Sequence, residues 1–125
     1  MPHEHGSLAE FKAYREKMNE KILKNGGLAI NRFFNLDTHA YDDGALPRKT
    51  KELLGLVSSL VLRCDDCVSY HIIQCVEVGV TDAEFYEAFN VGLIVGGSIT
   101  IPHLRSAVVA LEECRAMKRK STGAG

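Results

Sequence analysis

The chain has 125 residues, a length that suits one domain and is short for two. Hydrophobic residues make up 46% and charged residues 25%, which is typical of a globular protein and argues against disorder or a disulfide-rich scaffold. The formal net charge of −1 excludes a strongly basic nucleic-acid-binding protein. We expect a cytoplasmic protein without membrane or nucleic-acid partners, since no secretory signal or long apolar span is visible.

Apolar residues recur at spacings of three and four, which predicts an all-α fold of about six helices. Capping boxes at Ser7 and Thr81 mark two helix starts, and Pro47 and Pro102 are each placed at the first position of a helix. Pairs of glycines and an Asp-Asp-Gly turn mark the breaks. The predicted helices cover residues 8–24, 28–41 (a less regular segment), 47–62, 65–79, 82–95 and 102–119.

These helices are predicted to form a single domain over residues 1–120, followed by a flexible tail at 121–125. The fifth helix is apolar nearly all round between residues 88 and 95, and Gly92 and Gly96 lie on one of its faces. A short chain has little interior in which to bury such a helix. The pattern therefore favours burial against another subunit.

A C-x-x-C pair at the predicted start of the fourth helix is the strongest chemical signal. Cys64 and Cys67 are close enough to form a disulfide, and a helix N-terminus favours the reactive thiolate. His71 lies one turn after Cys67 on the same face, where an imidazole can take or return a proton. Asp65 and Asp66 stabilise the helix start, and their charge should raise the thiol pKa values.

Other candidates are weaker on spacing alone. Glu52 borders the apolar stripe of the third helix, where periodicity predicts a solvated surface group. Antiparallel pairing of the third and fourth helices need not bring Glu52 near the cysteines. His103 is predicted to lie near a helix N-terminus with a lowered pKa, although it could join a site. The remaining expectations are Cys75 and Cys114 in the core, Phe11 and Met18 in a first-helix core stripe, Tyr70 in packing or an interface, and His3, His5 and His39 on the surface.

Residues 46–54, 64–71 and 92–103 together resemble the carboxymuconolactone decarboxylase superfamily, and most closely its AhpD-like (alkylhydroperoxidase) branch. The resemblance covers about residues 46–112. Its most specific part is the pattern E-x11-C-x-x-C-x-x-x-H, which runs from Glu52 to His71. The resemblance implies an AhpD-like helical bundle that assembles as a trimer or hexamer.

The resemblance also implies roles for four residues. Cys67 would attack a hydroperoxide or other small substrate, Cys64 would resolve the sulfenic acid, and Glu52 and His71 would form a proton relay. The redox-active Cys64–Cys67 disulfide would replace any cofactor, and a thiol or dithiol protein would reduce it. This chain has Asp66 where the characterised peroxidase has a histidine.

Two alternatives stay open at this stage. Cys64, Cys67 and His71, with His103 as a fourth ligand, could form a zinc site with two sulfur and two nitrogen donors. The chain could instead be a non-redox member of the superfamily, such as a lactone decarboxylase or an oligomeric scaffold. The true decarboxylases lack the C-x-x-C pair, which favours the redox interpretation.

Overall fold

The computed structural model describes residues 7–122, and within that range it contains six α-helices, one short 3-10 helix and no β-strand. The all-α prediction is therefore confirmed. None of the helices in this range is both long and apolar enough to cross a bilayer. The α-helices are α1 (Leu8–Asn25), α2 (Gly27–Ala40), α3 (Arg48–Val61), α4 (Asp65–Glu77), α5 (Asp82–Gly96) and α6 (Ile101–Thr122), with the 3-10 helix at Ser98–Thr100 between α5 and α6.

Several helix ends differ from the prediction. The segment expected to be less regular is the regular helix α2. Pro47 is the N-cap of α3 rather than its first helical residue, because its ψ of 157° is extended. The fifth helix ends one residue later than predicted, at Gly96, and the break falls within the predicted glycine pair at Gly97, whose φ of 80° suits glycine.

The last helix also extends beyond the predicted bounds. It begins at Ile101, directly after the 3-10 helix, and continues to Thr122. The first two residues of the predicted tail are therefore helical. Residues 123–125 lie outside the described range, as do His3 and His5.

The core lies between α3, α4, α5 and α6, with contributions from the start of α1. Its largest buried side chains include Phe85 and Phe89 of α5 and Leu56 and Leu60 of α3. Phe11 is buried as predicted, whereas Met18 is only partly buried. The helix α2 has no buried side chain and contacts α1, so it lies outside this core.

Helices α3 and α4 pack side by side and run antiparallel. The direction follows from two contacts: Arg48 Nη2 donates to Gln74 Oε1 at 2.6 Å, and Glu52 contacts His71. Residue numbers rise along α3 as they fall along α4. This register places the second turn of α3 opposite the second turn of α4.

Candidate active site

A tight turn between α3 and α4 sets the position of Cys64. The last turn of α3 closes when the Arg63 N–H donates to the Leu60 carbonyl and the Cys64 N–H donates to the Ser59 carbonyl, both at 3.0 Å. These two bonds form a Schellman motif, in which the residue after the helix adopts a left-handed conformation. That residue is Arg63, with φ of 61°. Cys64 thus closes α3 and is also the N-cap of α4.

Cys64 and Cys67 are joined as a disulfide across the first turn of α4, with their Cα atoms 5.3 Å apart. The Cys67 N–H donates to Cys64 Sγ at 3.3 Å, so one cysteine sulfur caps the helix. Cys67 is exposed and Cys64 is partly buried. An incoming molecule can therefore reach the sulfur of Cys67 more easily than that of Cys64.

Glu52 and His71 form a buried pair beneath this turn. His71 Nδ1 lies 2.9 Å from Glu52 Oε1, and the two residues are 7% and 1% exposed. The surface position that periodicity predicts for Glu52 is therefore wrong, because α4 covers this edge of the apolar stripe. Arg48 Nε is 3.7 Å from Glu52 Oε2 and supplies positive charge at the rim of the pair.

The His71 ring fits against α3 because residue 55 is glycine. A Cβ atom at Gly55 would lie 2.6–2.9 Å from three atoms of the imidazole, which is closer than side chains approach. Tyr41, which directly follows α2, lies on another side of the ring, with its hydroxyl oxygen 3.4 Å from His71 Nε2. Helices α3 and α4 and the end of α2 together fix the imidazole.

A cavity of about 360 Å³, which we call the front cavity, lies beside Cys67 and His71. Tyr70 forms part of its wall, and the Arg15 guanidinium lies 4.0 Å from the centroid of the Tyr70 ring. Burial raises the pKa of Tyr70, and the positive charge of Arg15 opposes that rise. Asp66, where the resemblance implies a histidine, also lines this cavity.

The other predicted candidates lie outside the pair and the front cavity. His103 is in the first turn of α6, near the helix start as predicted, and its Nδ1 is 2.8 Å from Asp65 Oδ1. Cys75 and Cys114 are buried free thiols, which confirms their placement in the core. Burial first, and then the Glu52 charge, raises the pKa of Cys75 to about 12, so its thiol is unreactive at neutral pH.

No group of three or more histidine, cysteine or acidic side chains is arranged to hold a metal ion within residues 7–122. His71 and His103 each have Nδ1 engaged by a different carboxylate. The zinc alternative gains no support from this arrangement.

Three residues of the site are missing from the sequence prediction: Tyr41, Gly55 and Arg15. Gly55 carries a usable signal, because a glycine inside a helix three residues after Glu52 indicates a close approach on the same face. Arg15 lies on α1 and Tyr41 directly follows α2, and no spacing in the sequence reveals what these two helices contact.

The chain is similar in sequence and in fold to known proteins. The family model described as "Carboxymuconolactone decarboxylase family" matches residues 28–110. A solved protein of that family from Thermotoga maritima, for which a role in antioxidative response has been suggested, is 53% identical over 90% of this chain and 95% of its own, with a TM-score of 0.84. A family member from Legionella pneumophila is 27% identical over 87% of this chain and 95% of its own, with a TM-score of 0.74.

Among curated relatives, an uncharacterized protein of Cupriavidus necator is 30% identical over 69 residues. The matched region covers 55% of this chain and 61% of that protein, so the chain spans less than two thirds of this relative's length.

Proposed function

Because the chain belongs to the carboxymuconolactone decarboxylase family, we propose that it is a thiol-dependent peroxidase that reduces hydroperoxides through Cys64 and Cys67. One observation carries the proposal: an exposed cysteine, already paired with a second one, shares a cavity with an imidazole held by a buried carboxylate. A sulfur nucleophile, a resolving sulfur and a proton carrier are what thiol-based peroxide reduction requires.

The reaction begins with both cysteines reduced. His71 takes the proton of the Cys67 thiol, and the thiolate attacks one oxygen of the peroxide. The O–O bond breaks, Cys67 becomes a sulfenic acid, and His71 returns the proton to the departing alkoxide, which leaves as an alcohol. Glu52 accepts a hydrogen bond from His71 Nδ1 throughout, which stabilises the protonated ring.

Cys64 completes the oxidative half of the cycle. Its thiol attacks the sulfenic sulfur, the disulfide forms, and the sulfenic oxygen leaves as water. The two thiols have then supplied the two electrons and two protons that convert a hydroperoxide to an alcohol and water. A dithiol protein then reduces the disulfide by thiol–disulfide exchange at the exposed Cys67 sulfur, which restores both thiols.

Two further points support a redox role over lactone decarboxylation. The sulfur pair resembles that of the AhpD-like branch, whereas true decarboxylases lack it. The antioxidative role suggested for the Thermotoga maritima relative is of the same chemical kind, and that relative is 53% identical.

The proposal is tested with two variants, each of which replaces one cysteine, and a dithiol-coupled peroxide assay. Cys67→Ser should abolish turnover, because the attacking sulfur is gone. Cys64→Ser should consume about one peroxide per chain and stop, with the sulfenic acid on Cys67 detectable by dimedone labelling and mass spectrometry. Wild-type activity in Cys67→Ser would contradict the assignment.

Cys114→Ala is the matched control, because it removes a buried thiol outside the front cavity and should leave turnover unchanged. Intact mass gives a second check: the reduced protein should lose the mass of two hydrogen atoms on mild peroxide treatment as the Cys64–Cys67 disulfide forms. A mass that stays constant would favour a non-redox member of the family. One zinc per chain after purification without chelator would instead favour the metal-site alternative.

A further inference from the structure

His71 lines two cavities. Among the residues that line either cavity, it is the one that lines both. The first is the front cavity. The second, which we call the rear cavity, has a volume of about 420 Å³ and is large enough for several water molecules. Tyr41, Lys51 and Gly55 are among its lining residues. The imidazole therefore separates the space beside Cys67 from a second space behind it.

The two nitrogens of His71 have different partners. Nδ1 faces Glu52, so a proton on Nδ1 is donated to the carboxylate and the neutral ring keeps Nε2 as its acceptor. Tyr41 is the residue beside Nε2, at 3.4 Å from its hydroxyl oxygen. A hydroxyl can donate to a neutral ring and accept from a protonated one, so Tyr41 suits both states. This contact is long in the disulfide form, and such contacts often tighten during reaction.

Tyr41 is held in place from both sides. Lys51 Nζ donates to the carbonyl of Ala40 at 3.1 Å and to that of Asp42 at 2.7 Å, which fixes the backbone around the tyrosine. The Tyr41 and His71 ring centroids are 5.3 Å apart. Burial, followed by the negative charges of Asp37 and Glu52, raises the pKa of Tyr41, so the phenol keeps its proton at neutral pH.

We propose that Tyr41 is a positioning residue of the relay: its hydroxyl meets Nε2 from the side of the rear cavity and holds the His71 ring in orientation in both protonation states. This inference rests on the proposed peroxidase function. The titratable and charged groups around His71 are Tyr14 and Arg15 of α1, Asp37 of α2, Tyr41 after α2, Arg48, Lys51 and Glu52 of α3, and Asp66, Cys67 and Tyr70 of α4.

The test is Tyr41→Phe, which keeps the ring contact and removes only the hydroxyl. We expect kcat to fall about 3- to 10-fold with KM within about 2-fold of wild type, because the hydroxyl acts on the imidazole and not on substrate. Tyr86→Phe is the matched control: Tyr86 is half-exposed, packs against Phe89 and lines neither cavity, so its kinetics should equal those of wild type.

A second readout does not depend on turnover. The ring nitrogen signals of His71, followed by NMR at constant pH, should change at Nε2 in Tyr41→Phe, because Nε2 loses its hydrogen-bond partner, while the Nδ1 signal should stay as in wild type. An Nε2 signal and a kcat that both match wild type would overturn the inference while leaving the peroxidase proposal intact. A changed Nε2 signal in a protein without peroxide turnover would overturn the peroxidase proposal and leave the orienting role of Tyr41 as the surviving part.

Discussion

Glu52 lines neither cavity, and it contacts the candidate site through His71. It is 1% exposed, and its partners are the His71 ring, 2.9 Å away at Nδ1, and the half-exposed Arg48. Burying an acid is costly unless hydrogen bonds and opposite charge compensate. The hydrogen bond with His71 and the charge of Arg48 therefore compensate for the burial of Glu52.

Glu52→Gln tests the proposed role of Glu52 in the proton relay with little change of shape. The amide oxygen can still accept the Nδ1–H bond, so the ring should stay in place, but the charge that stabilises the imidazolium is gone. We expect kcat to fall by roughly 10²-fold, the lower end of the usual range for proton-transfer catalysis. Steady-state peroxide kinetics, with circular dichroism as a check on folding, measure the effect.

Glu84→Gln provides the comparison for that variant. It removes an acidic group of a surface capping box that lies outside both cavities, so activity should not change. Equal kinetics in Glu52→Gln and wild type would mean that the buried charge has no part in the reaction.

The residues of the site differ in how far the sequence predicts them. Local spacing is enough to predict the sulfur pair and an imidazole one turn away, because helix geometry fixes both. Periodicity predicts that Glu52 is on the surface. The spacing of apolar residues shows which face of a helix is buried, but it does not show a polar partner on another helix. The family resemblance corrects that position. Neither the residue spacing nor the family resemblance predicts Tyr41, because its contact with His71 depends on how the end of α2 meets α3.

At the scale of elements, the turn between α3 and α4 contains a testable conflict between residue type and conformation. Arg63 adopts a left-handed φ of 61°, which costs a residue with a side chain about 1–2 kcal/mol. Glycine would avoid that cost but loses more entropy on folding, by roughly 0.5–1 kcal/mol. Arg63→Gly should therefore raise the free energy of unfolding by about 0.5–1 kcal/mol, measured by urea denaturation.

Arg63→Ala separates conformation from charge. Alanine removes the guanidinium but keeps a Cβ atom in the left-handed region, so this variant should show no gain in stability. An equal gain in both variants would assign the effect to the lost charge instead. Peroxide turnover should persist in Arg63→Gly, since the backbone bonds that place Cys64 remain available.

The sequence predicts the positions of the helices more accurately than it predicts the residues at which they begin and end. Capping boxes at Ser7 and Thr81 are both present, because each depends on side chains three residues apart. Pro47 and Pro102 each fall one position from their predicted roles, as the N-cap of α3 and the second residue of α6, since residue type only restricts the backbone angles that set a helix end. The 3-10 helix before α6 has no signal in the spacing of apolar residues.

At the scale of the whole molecule, groups of large, strongly exposed apolar side chains lie on two helices within residues 7–122: Leu28, Phe33 and Leu36 on α2, and a second group on α5. The outer face of α5 includes Ile94 at 86% and Val95 at 68% exposure. Contiguous apolar surface of this kind marks an interaction site in soluble proteins. The apolar pattern of the fifth helix predicts a homo-oligomer, and the exposed face of α5 supports that expectation.

Ile94→Glu tests whether this face joins copies of the chain. A glutamate buried against a second apolar face would lack a partner, so the variant should dissociate toward the 13.8 kDa monomer mass in light scattering, while the wild type has a multiple of that mass. Lys21→Glu, an exposed change on α1, introduces the same side chain elsewhere and should leave the mass unchanged. A wild-type protein that is already monomeric at micromolar concentration would refute the homo-oligomer expectation, and the apolar face of α5 would then need a different partner.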